Sequence, residues 1–198
     1  MRESDVLQAC EGSLQRLGID YLDLYLVHAP NDDIELKETM RAFDALVDAK
    51  LVRAIGVSNF SAERMQEAQT LTENPIVVNQ VHYNLAVQDA AKNGVLELSQ
   101  KNDVLCYGYT PLERGELCRT GSDVLGSLCE KYSCTAAQLA LAWLIGQKNV
   151  GTIFTPFTVD QLQEDLGCTR INLSSDEIDQ LAREFPSERR RSLRYEMS

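Results

Sequence analysis

The sequence alternates short strand-like runs with longer helix-like segments, and this alternation restricts the chain to few folds. The runs are rich in β-branched and aromatic residues, and the segments between them place apolar residues at helical spacing. Strands that alternate with helices imply βαβ units, so we predict an α/β fold with a parallel sheet. Five runs read as strands, at residues 21–27, 51–57, 75–79, 104–108 and 150–154.

Each run ends in polar residues that are able to take part in chemistry. In a parallel α/β barrel the C-terminal ends of the strands meet on one face, where active sites are built. We therefore expect these side chains to converge. They are His28, Ser58 with Asn59, Gln80, Tyr109 with Thr110, and Thr155. A closed barrel of this kind has eight units, whereas five runs read as strands in this chain.

Capping boxes predict where three helices begin. In such a box a Ser or Thr and a Glu or Gln three residues later satisfy each other's backbone groups. Ser61 is a predicted N-cap for a further helix. The boxes pair Thr135 with Gln138, Thr158 with Gln161, and Ser174 with Glu177.

The charge balance argues against general binding to nucleic acid. The chain has 198 residues, with 19 Lys and Arg against 30 Asp and Glu, which gives a formal net charge of −11. Such a chain would repel a phosphate backbone. No stretch has the length and apolarity of a membrane span or a signal peptide. We predict neither nucleic-acid nor membrane partners.

The cysteines are typical of a reducing compartment. Six of them are scattered without CxxC pairs or histidines at ligand spacing, which disfavours a disulfide framework and a zinc site. Their use as small hydrophobic side chains explains the pattern better. We predict a cytoplasmic protein without a metal site.

Four motifs resemble those of one enzyme family, the aldo-keto reductases. SLQRLGIDYLDLYLVHAP (residues 13–30) resembles the family's helix, strand and catalytic-histidine segment. GVSNF (56–60), NQVHYN (79–84) and YTPLERG (109–115) resemble its later motifs in the expected order. The resemblance covers nearly the whole chain. It implies a (β/α)8 TIM barrel that transfers hydride between NADPH and a small carbonyl substrate, and this chain would form a partial (β/α)8 TIM barrel with about five of eight βα units.

The resemblance assigns roles to individual residues. His28 is similar to the histidine that orients and polarises the substrate carbonyl. Ser58, Asn59 and Gln80 resemble the trio that hydrogen-bonds the nicotinamide carboxamide, a group that both donates and accepts. Tyr109 resembles the aromatic residue that stacks on the nicotinamide ring. Further cofactor-binding positions are matched by Thr110, Leu112 and Glu164.

Each assignment has a purely structural alternative. His28 could be a satisfied histidine at a strand end, and Tyr109 could be a core aromatic residue. Ser58 and Asn59 could form a turn that leads into the next helix. His82 follows the family pattern, but packing is its expected role.

The proton donor of the family has no counterpart in these motifs. In the family, a tyrosine, its partner lysine and an aspartate lie on the first three barrel units, and this chain resembles the part from the helix before strand 4 onward. We therefore predict that the three N-terminal units are missing, that the chain alone is inactive, and that a partner chain can bind at the open barrel edges. The tyrosines in the wrong motifs to substitute are Tyr21, Tyr25, Tyr83 and Tyr107.

The loop after the last strand departs from the family pattern. In the family this loop has a sequence similar to IPKSVTPERIEEN, and its Lys, Ser and Arg bind the adenosine 2′-phosphate. In this chain residues 153–165 are IFTPFTVDQLQED. Thr155, Pro156 and Gln161 take those three positions. The loss of two cations removes charge-assisted bonds to a phosphate. The resemblance implies NADP(H), and the loop makes NAD(H), or weak dinucleotide binding, an alternative.

Three functions remain open. The chain could be an aldo-keto reductase family oxidoreductase segment that is inactive alone, a non-catalytic binding or regulatory module, or an unstable remnant. We predict one domain at residues 1–185 and a basic tail at 186–198, which contains four arginines. A solvated extension is the expected role of this tail, ahead of phosphate binding or targeting.

Overall fold

The computed structural model describes residues 2–119 and 122–185, in which strands and helices alternate as predicted. The strands are β1 (Leu22–Val27), β2 (Val52–Ser58), β3 (Ile76–His82), β4 (Leu105–Tyr109) and β5 (Val150–Thr152). The helices are α1 (Glu3–Leu17), α2 (Leu36–Asp48), α3 (Ala62–Thr70), α4 (Asp89–Lys92), α5 (Val95–Lys101), α6 (Asp123–Tyr132), α7 (Ala136–Ile145), α8 (Val159–Leu166) and α9 (Ser175–Glu184). Short 3₁₀ turns lie at Glu113–Cys118 and Gly167–Arg170.

The five strands form one sheet in chain order. The pairs β1–β2, β2–β3 and β4–β5 are parallel. The five predicted strands are confirmed, with bounds that differ by one residue at several ends and by more at two. β3 continues to His82, so Gln80 lies inside a strand, and β5 ends at Thr152, so Thr155 lies in the following loop.

The prediction of a partial (β/α)8 TIM barrel with three N-terminal units missing is wrong. The observed architecture is an α/β fold with a five-stranded parallel sheet, in which β1 and β5 are the end strands. Each strand is hydrogen-bonded to the next strand along the chain, so the order of the strands in the sheet is their order in the sequence. The error came from counting the runs against an eight-unit template. A partner chain at the ends of the sheet stays a prediction.

The chain divides into two compact units. Among the described residues, unit 1 contains 2–80 and 101–104, and unit 2 contains 81–100, 105–119 and 122–185. The predicted domain at 1–185 stays a prediction. The predicted basic tail at 186–198 lies outside the described residues. Within them, no helix combines the length and apolarity needed to cross a membrane.

In unit 1 the helices α1 and α2 pack on each other, and α2 packs on β2. Cys10 of α1 and Met40 and Leu46 of α2 are fully buried. Burial of a Met or Leu side chain contributes about 1.5–3 kcal/mol. In β2, a methyl group at Gly56 would collide with both neighbouring strands, at Leu26 of β1 and Val78 of β3. The core of unit 1 therefore fixes β2 between two partners.

Unit 2 is built around α7, which is buried on nearly all sides. A helix that is apolar all round belongs in a core. Trp143 of α7 donates from Nε1 to the carbonyl oxygen of Ile178 at 3.0 Å, and its ring lies 5.5 Å from that of Tyr83. The capping box of Thr135 and Gln138 opens this helix.

The remaining predicted helix starts are confirmed in part. Ser61 caps α3 and the box of Ser174 and Glu177 opens α9, as predicted. At α8 only half of the box forms. Thr158 accepts from the backbone N–H of Gln161, whose side chain accepts from the backbone N–H of Phe157, one residue before the N-cap.

Candidate functional site

In unit 1 the predicted polar residues lie at the same end of three neighbouring strands. Ser58 is the last residue of β2 and lies opposite Gln80 of β3. Val27, the last residue of β1, lies opposite Val57, so His28 follows at the same level of the sheet. The predicted convergence of His28, Ser58 and Gln80 therefore occurs within this unit.

Asn59 ties these strand ends together. Its Nδ2 donates to the carbonyl oxygen of His28 at 3.2 Å and to Ser58 Oγ at 3.1 Å. Ser58 Oγ donates to the carbonyl oxygen of Gln80 at 2.9 Å, and the backbone N–H of Asn59 donates to the same oxygen at 2.8 Å. Asn59 has a φ of 61°, in the left-handed region that asparagine tolerates better than most residues. The turn after β2 is thus fixed by hydrogen bonds to both neighbouring strands.

The solvent exposure of the four residues at these strand ends limits what they can bind. Ser58 is buried, Asn59 and Gln80 are half-buried, and His28 is exposed. The donors of Ser58 and Asn59 are used within the turn, and the Gln80 side-chain amide supplies both a donor and an acceptor. Because the turn is already ordered, a ligand that binds there loses little free energy to ordering of the protein. The arrangement suits a small group that donates and accepts hydrogen bonds, with an imidazole beside it.

In unit 2 Tyr109, the last residue of β4, lies flat against the ring of His82. The ring centroids are 5.2 Å apart and the planes differ by 12°. His82 Nε2 lies 2.9 Å from Glu113 Oε2, and both side chains are largely buried. His82 therefore packs, as expected from the sequence, but it also has a buried carboxylate as its partner.

Two further predicted cofactor residues of unit 2 have structural contacts of their own. The carbonyl oxygen of Thr110 accepts a hydrogen bond from Asn84 Nδ2 at 2.9 Å. Leu112 packs against a buried cluster formed by Leu141, Ala142 and Cys168. The cofactor roles of Thr110 and Leu112 stay predictions.

The segment after β5 is acidic. Between residues 150 and 169 the sequence contains Asp160, Glu164 and Asp165 but no Lys or Arg. Burial and the neighbouring Glu164 raise the pKa of Asp165 above its usual value. Thr155 and Glu164 are exposed. A bound phosphate would therefore meet no cationic side chain from this segment.

Sequence reasoning missed Asn84 and Glu113, which hold His82 and Thr110 in place. Asn84 Nδ2 donates to Glu113 Oε2 at 2.6 Å. The only signal for them was their position inside NQVHYN and YTPLERG. Among the described residues, no group of three or more His, Cys, Asp or Glu is placed to hold a metal ion.

The tyrosine pKa values bear on proton donation. A tyrosine that donates a proton near neutral pH needs a lowered pKa. Burial instead raises the pKa of Tyr25 in unit 1 and that of Tyr83 in unit 2. These two tyrosines are shifted away from general-acid catalysis.

Comparison with known proteins identifies the family. The model of the aldo/keto reductase family matches residues 1–183. The methylglyoxal reductase YeaE of Escherichia coli is 32% identical over 185 residues, which cover 91% of this chain and 64% of that protein. The NADH-specific methylglyoxal reductase of Escherichia coli is 31% identical over 193 residues, which cover 82% of this chain and 58% of that protein. This chain belongs to the aldo-keto reductase family, which confirms the resemblance of its motifs.

A solved structure agrees with this assignment. A thermostable aldo-keto reductase in complex with the inhibitor epalrestat has a TM-score of 0.87 and 39% sequence identity, over 92% of this chain and 66% of that one. The chain spans less than two thirds of the length of the two curated relatives, 64% and 58%. The family match begins at residue 1. It gives no support to the prediction that the resemblance is confined to a C-terminal part with three units missing.

Proposed function

We propose that this chain binds a nicotinamide dinucleotide through Ser58, Asn59 and Gln80, and that it serves the NAD(P)H-dependent reduction of a small carbonyl compound. The observation that carries the proposal is the hydrogen-bonded turn of Asn59, which holds these side chains at the ends of neighbouring strands. A carboxamide both donates and accepts hydrogen bonds, and so it matches the side-chain amide of Gln80. Fixing that group decides which face of the nicotinamide ring is presented for hydride transfer.

His28 is the proposed catalytic residue. Its backbone is tied to Asn59, and its side chain is exposed at the same end of the sheet. An imidazole there can donate a hydrogen bond to a carbonyl oxygen and withdraw charge from the carbon that accepts hydride. The proposed substrates are small carbonyl compounds, because the names of related proteins include methylglyoxal reductases.

The proposed cofactors are NADP(H), from the family, and NAD(H), from the chemistry of the loop after β5. Thr155 and Gln161 carry no positive charge, and Asp160, Glu164 and Asp165 add negative charge. A 2′-phosphate gains nothing from such a segment, so we expect NADH to bind at least as well as NADPH. One related protein is named as NADH-specific.

We further propose that this chain alone binds dinucleotide without rapid turnover. This proposal rests on the motifs, in which Tyr21, Tyr25, Tyr83 and Tyr107 do not take the place of the family's proton donor, and burial raises the pKa of Tyr25 and Tyr83, which makes these two weaker acids. The non-catalytic binding module remains the alternative function.

The six free cysteines fit a reducing compartment, so we propose a cytoplasmic location, which cell fractionation would test.

The test is a calorimetric titration of the chain with NADH and NADPH. Asn59→Asp keeps the size of the side chain and tolerates the left-handed φ, but it removes the donor to His28 and Ser58. We expect about tenfold weaker binding, the loss of one or two hydrogen bonds of about 1 kcal/mol each. The matched control Asn102→Asp, at an exposed turn, should change affinity less than twofold. No binding of either dinucleotide, or equal affinities of Asn59→Asp and wild type, would refute the proposal.

A turnover assay separates a complete reductase from a chain that binds dinucleotide without reducing a substrate. NADH and methylglyoxal are mixed with the chain, and the loss of reduced nicotinamide is followed by its absorbance. We expect a rate close to the rate without protein. A fast rate that His28→Asn abolishes would disprove the binding-only behaviour and establish a complete reductase.

A further inference from the structure

Helix α6 of unit 2 ends in a backbone motif that brings two cysteines together. Ser133 follows the helix with a φ of 51°, in the left-handed region. Its N–H donates to the carbonyl oxygen of Glu130 at 3.2 Å, and the N–H of Cys134 donates to the carbonyl oxygen of Cys129 at 3.0 Å. These two bonds define the Schellman motif, in which the side chains of the outer pair of residues commonly touch. Here the outer pair is Cys129 and Cys134.

The geometry of this pair allows a disulfide. With standard backbone dimensions the bond between Cys134 and Cys129 keeps their Cα atoms less than about 7 Å apart, and the Cα atoms of disulfides usually lie about 4.4–6.8 Å apart. The two thiols are within hydrogen-bonding reach of each other, and both are free. An S–S bond therefore needs rotation of two side chains and no large movement of the backbone.

The two thiols differ in their access to solvent. Cys129 is 8% exposed, whereas Cys134 is half-buried, so an oxidant in solution reaches Cys134 first. Burial raises the pKa of Cys134 to about 11 and raises that of Cys129 as well. Because the thiolate is the nucleophile, the first attack is slow near neutral pH. The second step joins two neighbouring thiols within one chain and is fast by comparison.

We propose that Cys129 and Cys134 form a redox-active dithiol, which a small disulfide such as oxidised glutathione converts to an intramolecular disulfide. The Cys134 thiolate attacks one sulfur of the oxidant, which releases one glutathione and leaves a mixed disulfide on Cys134. The Cys129 thiolate then attacks the Cys134 sulfur and releases the second glutathione. Two protein S–H bonds become one S–S bond, and their two electrons and two protons pass to the two glutathione thiols.

The disulfide joins two helices of unit 2. Cys129 lies in the last turn of α6, and Cys134 directly precedes Thr135, the N-cap of α7. The site gives these two cysteines a role beyond that of small hydrophobic side chains. It is compatible with a reducing compartment, where disulfides are usually transient and redox-sensing. It is also independent of the proposed dinucleotide binding.

The test is peptide mapping of the whole chain after incubation with oxidised glutathione in mildly alkaline buffer. The remaining thiols are blocked by alkylation before digestion with trypsin, which cuts after Lys131, between the two cysteines. The peptides 120–131 and 132–148 therefore stay together only through a disulfide between Cys129 and Cys134. We expect this linked pair in most of the oxidised chains, and we expect dithiothreitol to separate it.

Single substitutions separate the two steps. In Cys129→Ser the second thiol is missing, so the reaction should stop at one glutathione on Cys134. In Cys134→Ser the buried Cys129 should take up several times less glutathione than Cys134 does in Cys129→Ser. Cys118, which is exposed, is the matched single cysteine and should take up glutathione in every variant without a linked peptide. If Cys129→Ser does not fold, Cys129→Ala takes its place.

The outcomes separate a redox-active pair from two unrelated cysteines. The linked peptides in the wild type, together with a stable mixed disulfide on Cys134 in Cys129→Ser, would support the proposal. Glutathione that stays on Cys134 in the wild type would overturn it, because Cys129 would then be out of reach. A bond from either residue to another cysteine, or no reaction at Cys134 in any variant, would overturn it as well. The titration with NADH and NADPH decides the proposed function separately.

Discussion

Gly56→Ala tests the close packing of the sheet in unit 1. A methyl group at this position would overlap Val78 Cγ1 and would lie 2.5 Å from Leu26 Cδ2 and 2.9 Å from the carbonyl oxygen of Val78. The side-chain ends can shift, but the carbonyl oxygen belongs to the paired strand β3. Overpacking of this kind costs about 1–3 kcal/mol, and the backbone contact places the cost near the upper limit. Alanine recovers roughly 0.5–1 kcal/mol relative to glycine in a strand, so we expect a net loss of about 2 kcal/mol.

The loss is measured by urea denaturation followed by circular dichroism. A loss of about 2 kcal/mol corresponds to a melting temperature roughly 4–8 °C lower for a chain of this length. Gly126→Ala is the matched control, because a methyl group there meets nothing within 4 Å. In α6 it should gain roughly 0.5–1 kcal/mol from helix propensity. Gly56→Ala should also weaken dinucleotide binding, since Ser58 lies two residues further along β2.

Equal stability of Gly56→Ala and the wild type would refute the reasoning, because it would mean that β1 and β3 can move apart without cost. A loss of similar size in Gly126→Ala would also contradict it. The cause would then lie in the replacement of glycine as such, and the space between the strands would not matter.

Two predictions concern unit 2. A hydrogen bond from Lys131, together with bonds from Ser174 and Tyr132, lowers the pKa of Glu177 from 4.5 to about 2. Because the pKa in the folded chain lies below that in the unfolded chain, the ionised carboxylate stabilises the fold above about pH 4.5. This contribution to the free energy of unfolding is lost as the pH falls toward 2. Thermal melts of Glu177→Gln should therefore show a flatter acid dependence than those of the wild type, and an unchanged slope would contradict this. Thr135→Ala should cost about 1 kcal/mol in urea denaturation. Thr158→Ala should cost less, because the box at Thr135 is complete and the one at Thr158 is not, and equal losses would argue against the assignment.

The strands and helix starts could be predicted because their signals are local. A capping box joins residues three positions apart, as in Thr135 and Gln138, and a strand-like run carries its own composition. The convergence of Ser58 and Gln80 also followed from the sequence, since parallel strands present their C-terminal ends at one edge. The α/β class with a parallel sheet was predicted correctly, whereas the missing units were wrong because the five runs were counted against an eight-unit template, and no single run specifies how many strands its sheet contains.

The pair of His82 and Glu113 could not be predicted, because the two residues are 31 positions apart and meet only in the folded chain. In the sequence Glu113 is one acidic residue of a loop-like segment. Its burial depends on a 3₁₀ turn with left-handed backbone angles, which composition does not reveal. Gln161 was placed correctly at the start of α8, but its side chain bonds to Phe157 because the loop before the helix brings that N–H within reach.

The position of α7 at the centre of unit 2 has a consequence for the motions of the molecule. Its residues from Leu139 to Leu144 are almost entirely inaccessible to water, and its neighbours include α6, α8, β5 and both 3₁₀ turns. Local fraying cannot expose such a helix, so its amide hydrogens can exchange with solvent only when the surrounding elements separate together. The slowest exchange rates in α7 therefore measure the free energy that holds unit 2 together as one cooperative body.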